Sequence, residues 1–177
     1  MAKSAKSSRK NTKSRNPDAI ALLKNDHAEV TALFEKFEKG QKRLQDAQKE
    51  QLAQKICKML TVHTQIEEEI FYPACREQIE DAESLLAEAK VEHQSAKELI
   101  AQIQDGSPGG EEYDAQVIVL GEYVRHHVKE EQNELFPKAR KSGMDLKALG
   151  QELAERKSSL MAGEEDEGAE NPSMAAQ

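Results

Sequence analysis

One pattern occurs twice in this chain of 177 residues, and it constrains the fold more than any other feature. His63 is followed four residues later by Glu67 and then by Phe-Tyr-Pro. His127 is followed by Glu131 and Leu-Phe-Pro at a constant offset of 64, which indicates an internal duplication. Residues four apart share one face of an α-helix, so each copy predicts a helix that presents a histidine and a glutamate together. Pro73, at the end of the first copy, is expected to kink or tighten its helix.

Four segments carry apolar residues at helical spacing, and each of these stripes contains one histidine. The sequence Asn16-Pro17-Asp18 predicts the start of the first helix, with Asn16 as its cap. Gly and Pro separate the third segment from the fourth. The stripes run from Ile20 to Phe37 around His27, from Leu52 to Ile70 around His63, from Leu86 to Ile103 around His93, and from Tyr113 to Leu135 around His127.

Four amphipathic helices joined by short connections favour antiparallel up-down-up-down packing. We therefore predict an all-α fold in which residues 17–143 form a four-helix bundle and residues 144–161 form a short additional C-terminal helix. The composition agrees, because charged residues make up 33% of the chain, aromatic residues only 4%, and Trp is absent.

The two ends of the chain are expected to be disordered tails of opposite charge. Residues 1–16 carry six Lys or Arg and no acid, whereas residues 162–177 are acidic and contain Gly and Pro. A basic tail can contact nucleic acid, but we favour a solubilising arm because the segment has no aromatic residue. No apolar run is long enough to span a bilayer and the N-terminus lacks an apolar signal stretch, so we expect a cytoplasmic protein without a membrane partner.

The polar residues on the apolar stripes predict a metal site. Four histidines and two glutamates point into the bundle, where an ionised carboxylate without a partner is very costly. A bound cation removes that cost, and this mixture of imidazoles and carboxylates is the ligand set that bundle cores use for two adjacent iron or manganese ions. The candidate ligands are His27, His63, Glu67, His93, His127 and Glu131.

Several neighbouring residues leave alternatives open. His126 with Glu130 forms a second His-x-x-x-Glu register, but the match to the first copy and the apolar stripe both favour His127, which leaves His126 at a helix flank or as support for a ligand. Tyr123 points toward the site as a hydrogen-bond donor or is a packing residue, and Lys97 reaches the centre or extends along the helix to solvent. We interpret Glu68, Glu69 and Glu130 as solvated helix-face charges, with the alternative that one of them supplies an extra carboxylate to the site.

Taken together, four segments resemble the hemerythrin-like, or HHE cation-binding, family over residues 17–143. The resemblance implies a four-helix bundle with a non-haem di-iron centre, oxo- or hydroxo-bridged. Oxygen-carrying hemerythrins have a further histidine where this chain has Lys97 and an aspartate where it has Glu131, so the resemblance favours the bacterial variants linked to sensing or to peroxide and nitric oxide chemistry. The segments are Asn25-Asp26-His27, the stretch from His63 to Pro73, Glu92-His93, and the stretch from His127 to Pro137.

The predicted function is that of a di-iron protein that binds dioxygen, nitric oxide or peroxide in the bundle core, for sensing, storage or stress protection. Manganese and zinc accept the same ligands. Two alternatives stay open. One is a di-iron enzyme that decomposes peroxide or nitric oxide, and the other is a helical interaction protein without iron that uses its basic tail.

Overall fold

The computed structural model describes residues 17–167, and all regular structure within that range is helical, as predicted. Two short π-helical turns, Glu67–Phe71 and Glu131–Leu135, join α2 to α3 and α5 to α6. None of the described helices has the length and apolar character needed to cross a membrane. The α-helices are α1 (Ala19–Gly40), α2 (Asp46–Ile66), α3 (Tyr72–Gln78), α4 (Glu83–Asp105), α5 (Glu111–Glu130), α6 (Phe136–Lys141) and α7 (Leu146–Glu167).

Two apolar clusters fill the bundle, one above the other. The lower cluster contains the start of α1 and the end of α2, and the upper cluster contains the end of α1 and the start of α2. Helices α4 and α5 repeat this alternation, which confirms the predicted up-down-up-down order. On each of the four helices the metal-candidate histidine lies where the chain passes from one cluster to the other, so the site is a polar layer between two apolar ones.

The first helix begins two residues later than predicted. Asp18 is its N-cap, because the Asp18 carboxylate accepts a hydrogen bond of 2.8 Å from the backbone N–H of Ala21. Asn16, the predicted cap, lies outside the described residues, as do most of the two predicted tails. At the other end of the described chain, α7 continues to Glu167, past the end predicted at residue 161.

The structure corrects the prediction that Pro73 kinks or tightens its helix. The helix widens instead, because the backbone N–H of Tyr72 donates to the carbonyl of Glu67, five residues back. Phe136 makes the same bond to Glu131 ahead of Pro137. A proline has no N–H to continue the i to i−4 ladder, and the ladder shifts register just before it. Each π-helical turn thus begins at a candidate metal ligand.

Helix α7 packs along α1, α2 and the first π-helical turn. Gly150 permits the close approach, since a Cβ atom there would lie 2.5 Å from the Pro17 carbonyl oxygen. Leu153 of α7 is fully buried in the lower apolar cluster. The additional helix therefore covers one side of the bundle at the level of the polar layer and below it.

Candidate metal centre

The four histidines of the polar layer direct their Nε2 atoms toward one another in two pairs. His27 Nε2 lies 3.0 Å from His63 Nε2, and His93 Nε2 lies 3.3 Å from His127 Nε2. Two imidazoles bound side by side to one ion at about 2.1 Å place their nitrogens about 3 Å apart. All four rings are buried. Each pair therefore matches half of a two-ion site.

The two glutamates lie between the histidine pairs. Glu67 places one oxygen 3.2 Å from His63 Nε2 and the other 3.5 Å from His93 Nε2. Glu131 Oε2 lies 3.3 Å from His27 Nε2 and 3.6 Å from His127 Nε2. Each carboxylate thus touches one histidine of each pair, as a bridging ligand must.

Both carboxylates keep one oxygen without a hydrogen-bond donor. Glu67 is 0% exposed and Glu131 3% exposed, yet Glu67 Oε1 and Glu131 Oε2 accept no hydrogen bond from the described residues. An orphaned anionic oxygen in the core is unfavourable unless it ligates a cation. The residues present therefore fit a bound metal pair.

Polar side chains that are not themselves candidate ligands contact the Nδ1 atoms of the histidines. Glu68 Oε1 lies 2.9 Å from His93 Nδ1, and Glu92 Oε2 lies 2.8 Å from His127 Nδ1. An Nδ1–H that donates to a carboxylate leaves the Nε2 lone pair free for a metal and fixes the ring's orientation. Asp26 approaches His63 Nδ1 at 3.5 Å.

The residues that contact the histidines follow the internal duplication, but at two positions the two copies carry side chains of different chemistry. Asp26 directly precedes His27 in the chain but contacts His63 on the next long helix. In the same way Glu92 directly precedes His93 but contacts His127. The carboxylate of Glu68 has the amide of Gln132 as its counterpart, 3.3 Å from His27 Nδ1. Likewise the counterpart of Tyr72 is Phe136, whose ring stacks on His27 with centroids 5.8 Å apart. The two half-sites are therefore chemically unequal.

Tyr72 adds a hydroxyl to the centre. Its oxygen lies 3.1 Å from Glu131 Oε1, 3.3 Å from His93 Nε2 and 3.5 Å from Glu67 Oε2. Burial and then the Glu67 carboxylate raise the pKa of Tyr72 well above its ordinary value. The phenol is therefore neutral, and its O–H donates a hydrogen bond to Glu131 Oε1.

The metal-free centre is held by ion pairs. Burial by itself lowers the pKa of His63, but the Glu67 carboxylate and Asp26 outweigh burial and raise this pKa to about 10. Burial raises the pKa of Glu67, but the positive charge of the nearby His63 holds it well below its ordinary value. Protons thus occupy positions that a cation would take, and metal binding should release them.

The residues with open assignments fall outside the centre. Lys97 Nζ bonds both oxygens of Glu68 at 2.7 Å and is 43% exposed, so it reaches an outer partner and not the ligands. His126 is 61% exposed at the helix flank. Tyr123 is 46% exposed at the mouth of a pocket above the histidines. The interpretation of Glu68 as a solvated charge is wrong, since it holds His93 in place.

Sequence reasoning missed the functional setting of Tyr72, Glu68, Glu92, Asp26 and Gln132. The sequence did contain a signal for them. Four of these residues are direct neighbours of a predicted ligand in the chain, and Tyr72 follows Glu67 by five positions. Their partners lie on other helices, however, and only the packed bundle brings them together.

These features define a class, a four-helix bundle with a buried His and Glu cation-binding centre. The profile of the hemerythrin HHE cation binding domain matches residues 18–139, which is more than half of the chain. The chain therefore belongs to the hemerythrin HHE cation-binding family.

Two known proteins are similar to the chain. A DNA nickase from Nostoc sp. (strain PCC 7120) is 31% identical over 116 residues, which are 65% of this chain and 31% of the nickase. The chain thus spans less than a third of that relative's length. A crystal structure of a hemerythrin HHE cation binding domain-containing protein from Mycobacterium kansasii, an Rv2633c homolog, superposes with a TM-score of 0.69 at 20% identity. The superposition covers 83% of this chain and 89% of the Mycobacterium kansasii protein, and it supports the fold.

Proposed function

We propose that the chain is a non-haem di-iron protein that binds dioxygen, nitric oxide or peroxide at its core, for sensing, storage or stress protection. The observation that carries the proposal is the meeting of four imidazole Nε2 atoms with two buried carboxylates, each of which keeps an oxygen without a donor. In this assignment His27 and His63 would hold one ion, His93 and His127 would hold the other, and Glu67 and Glu131 would supply carboxylate oxygens to both.

The donor set favours iron, although manganese or zinc would satisfy the same atoms. Bound iron supplies redox chemistry and Lewis acidity. The chain's own residues would prepare the site for it. Glu68 and Glu92 orient two of the imidazoles, and the Tyr72 hydroxyl donates a hydrogen bond of 3.1 Å to Glu131.

A small apolar pocket above the histidines supports a small ligand. It is lined by Val30, Leu60, Ala96 and Val124 together with the imidazoles, and its volume is about 20 Å³. A space of this size accommodates roughly one water molecule or a diatomic gas.

Metal content tests the proposal first. Protein expressed in iron-supplemented medium should hold about two irons per chain, and its visible spectrum should show ferric bands that disappear on reduction. Nitric oxide should then perturb the reduced spectrum. Protein that is fully folded after expression in that medium and yet contains no iron would overturn the proposal. Steady-state turnover of peroxide or nitric oxide would move the assignment from binding protein to enzyme.

Glu67→Gln tests the ligand assignment. The amide keeps the size of the side chain and removes its charge, so we expect metal affinity to fall by at least about tenfold. Glu77→Gln is the matched control, because Glu77 is an exposed glutamate shortly after the same π-helical turn. Equal metal content in the two variants would contradict the role of Glu67.

A second candidate function comes from the similarity to a DNA nickase. Residues 1–16 carry positive charge, which the phosphates of DNA attract. Incubation of supercoiled plasmid with iron-loaded, manganese-loaded and metal-free protein tests it. Nicking that requires metal, and falls on deletion of residues 1–16, would support DNA as a substrate. Salt-sensitive binding by metal-free protein without nicking would instead support an interaction protein.

A further inference from the structure

A second cluster of metal-ligating side chains lies at the surface of α4 and α5. His126 Nε2 is 3.3 Å from Glu130 Oε1 and 3.5 Å from Glu92 Oε1, and one ligand atom from each residue lies within 4.8 Å of the others. We call Glu92, His126 and Glu130 the outer triad. One imidazole and two carboxylates from two helices match the preferences of ferrous iron, manganese and zinc.

The outer triad is joined to the buried centre by one shared side chain. Glu92 presents Oε1 to His126 and Oε2 to the candidate ligand His127, at 2.8 Å from Nδ1. A narrow crevice beside it is lined by Glu92 and Glu130 at the surface and by His127 and Glu131 in the core. The crevice thus brings surface carboxylates next to candidate ligands, and the rest of its lining is apolar, from Leu85, Ala89 and Leu135.

The outer triad has no counterpart in the first half of the bundle. At the duplicated positions of His126 and Glu130 the first half has Val62 and Ile66, which are 1% and 0% exposed, and α7 packs on that side. All six candidate ligands are buried, so an ion needs an entrance. The outer triad and its crevice lie at the surface of the half without α7.

We propose that the outer triad is a divalent-cation site through which the buried centre is loaded. The inference rests on the proposed metal centre and assigns it an entry route. An ion held by the triad exchanges water for carboxylate oxygens before it reaches the core, which spreads the dehydration over several steps. Glu92 is then a positioning residue for His127 in the loaded protein and a ligand during loading.

The rate of iron uptake tests this route. Metal-free protein is mixed with ferrous iron under anaerobic conditions, and the iron that resists a brief chelator wash is counted over time. His126→Gln with Glu130→Gln should slow uptake by about tenfold or more and leave the final iron content unchanged, because two of three ligands of the entry site are lost. His126→Gln alone should have an intermediate rate.

Glu134→Gln is the control, since it removes the same charge from an exposed position of the adjoining π-helical turn. It should load at the wild-type rate, and thermal melts should show that all variants are folded. Uptake by the double variant at the wild-type rate would overturn the entry route while the metal centre stands. A wild-type protein that takes up no iron at all would instead overturn the proposed function.

Discussion

At the scale of single residues, Tyr72 is where the two half-sites differ most. The Tyr72→Phe variant should retain its metal and shift the visible spectrum, because Glu131 Oε1 loses its donor. Loss of this hydrogen bond should cost the metal-free protein about 1 kcal/mol of unfolding free energy. Urea titration and absorbance measure the two effects.

Tyr113→Phe is the matched control for that change. Tyr113 is a buried tyrosine of the upper apolar cluster, and its hydroxyl has no hydrogen-bond partner among the described residues. Its removal should leave the spectrum unchanged. Identical spectra for Tyr72→Phe and wild type would show that the phenol does not influence the centre.

The two cysteines give a pH-dependent prediction. Burial raises the pKa of the Cys57 and Cys75 thiols to about 12, so roughly one thiol in ten thousand is ionised at pH 8 in the folded chain. Iodoacetamide labelling, followed by mass spectrometry, should be slow and should accelerate about tenfold per pH unit. Unfolded thiols ionise near pH 8.5, so this shift lowers folded-state stability above that pH. Rapid labelling of folded protein at pH 8 would contradict the prediction.

At the scale of elements, α7 is tied to the metal layer by two ion pairs. Arg156 bonds both oxygens of Glu69 on the first π-helical turn. Lys157 Nζ lies 2.5 Å from Asp26, whose other oxygen faces His63. The helix that lies beyond the matched family residues therefore contacts a side chain that supports a candidate ligand.

Lys157→Met tests this connection. The buried Asp26 carboxylate loses its cation, and because Lys157 is partly exposed we expect a loss of about 1 kcal/mol of unfolding free energy. Metal affinity should fall as well, since Asp26 then holds His63 less firmly. Lys147→Met, an exposed change on the same helix, is the control. Equal urea midpoints for the two variants would rule out the connection.

At the scale of the whole molecule, the fold does not depend on the metal layer alone, because an apolar cluster lies on either side of it. We expect chelated protein to remain helical by circular dichroism and to unfold at a lower temperature. A metal at 100 times its dissociation constant adds about 2.7 kcal/mol to stability. Loss of helix on chelation at room temperature would show that folding requires the ion.

The sequence determined the all-α bundle and the order of its helices. Apolar spacing depends only on the period of the helix, and that period is local. It also placed His63 beside Glu67 and His127 beside Glu131, because residues four apart share a face in any helix. The expectation of a kink or a tighter turn at Pro73 failed, because the hydrogen-bond ladder can also pass a proline by widening into a π-helical turn.

Only the tertiary structure decided what surrounds those ligands. Glu68 and Glu130 look alike in sequence, yet Glu68 bonds His93 and Lys97 while Glu130 joins His126 at the surface. Contacts between helices depend on rotation and axial position, which a single helical stripe does not fix. The pairing of the histidines, the position of the Tyr72 phenol and the cover by α7 therefore follow from packing. The His and Glu pattern that indicates a cation-binding centre, in contrast, is local and can be read from the sequence.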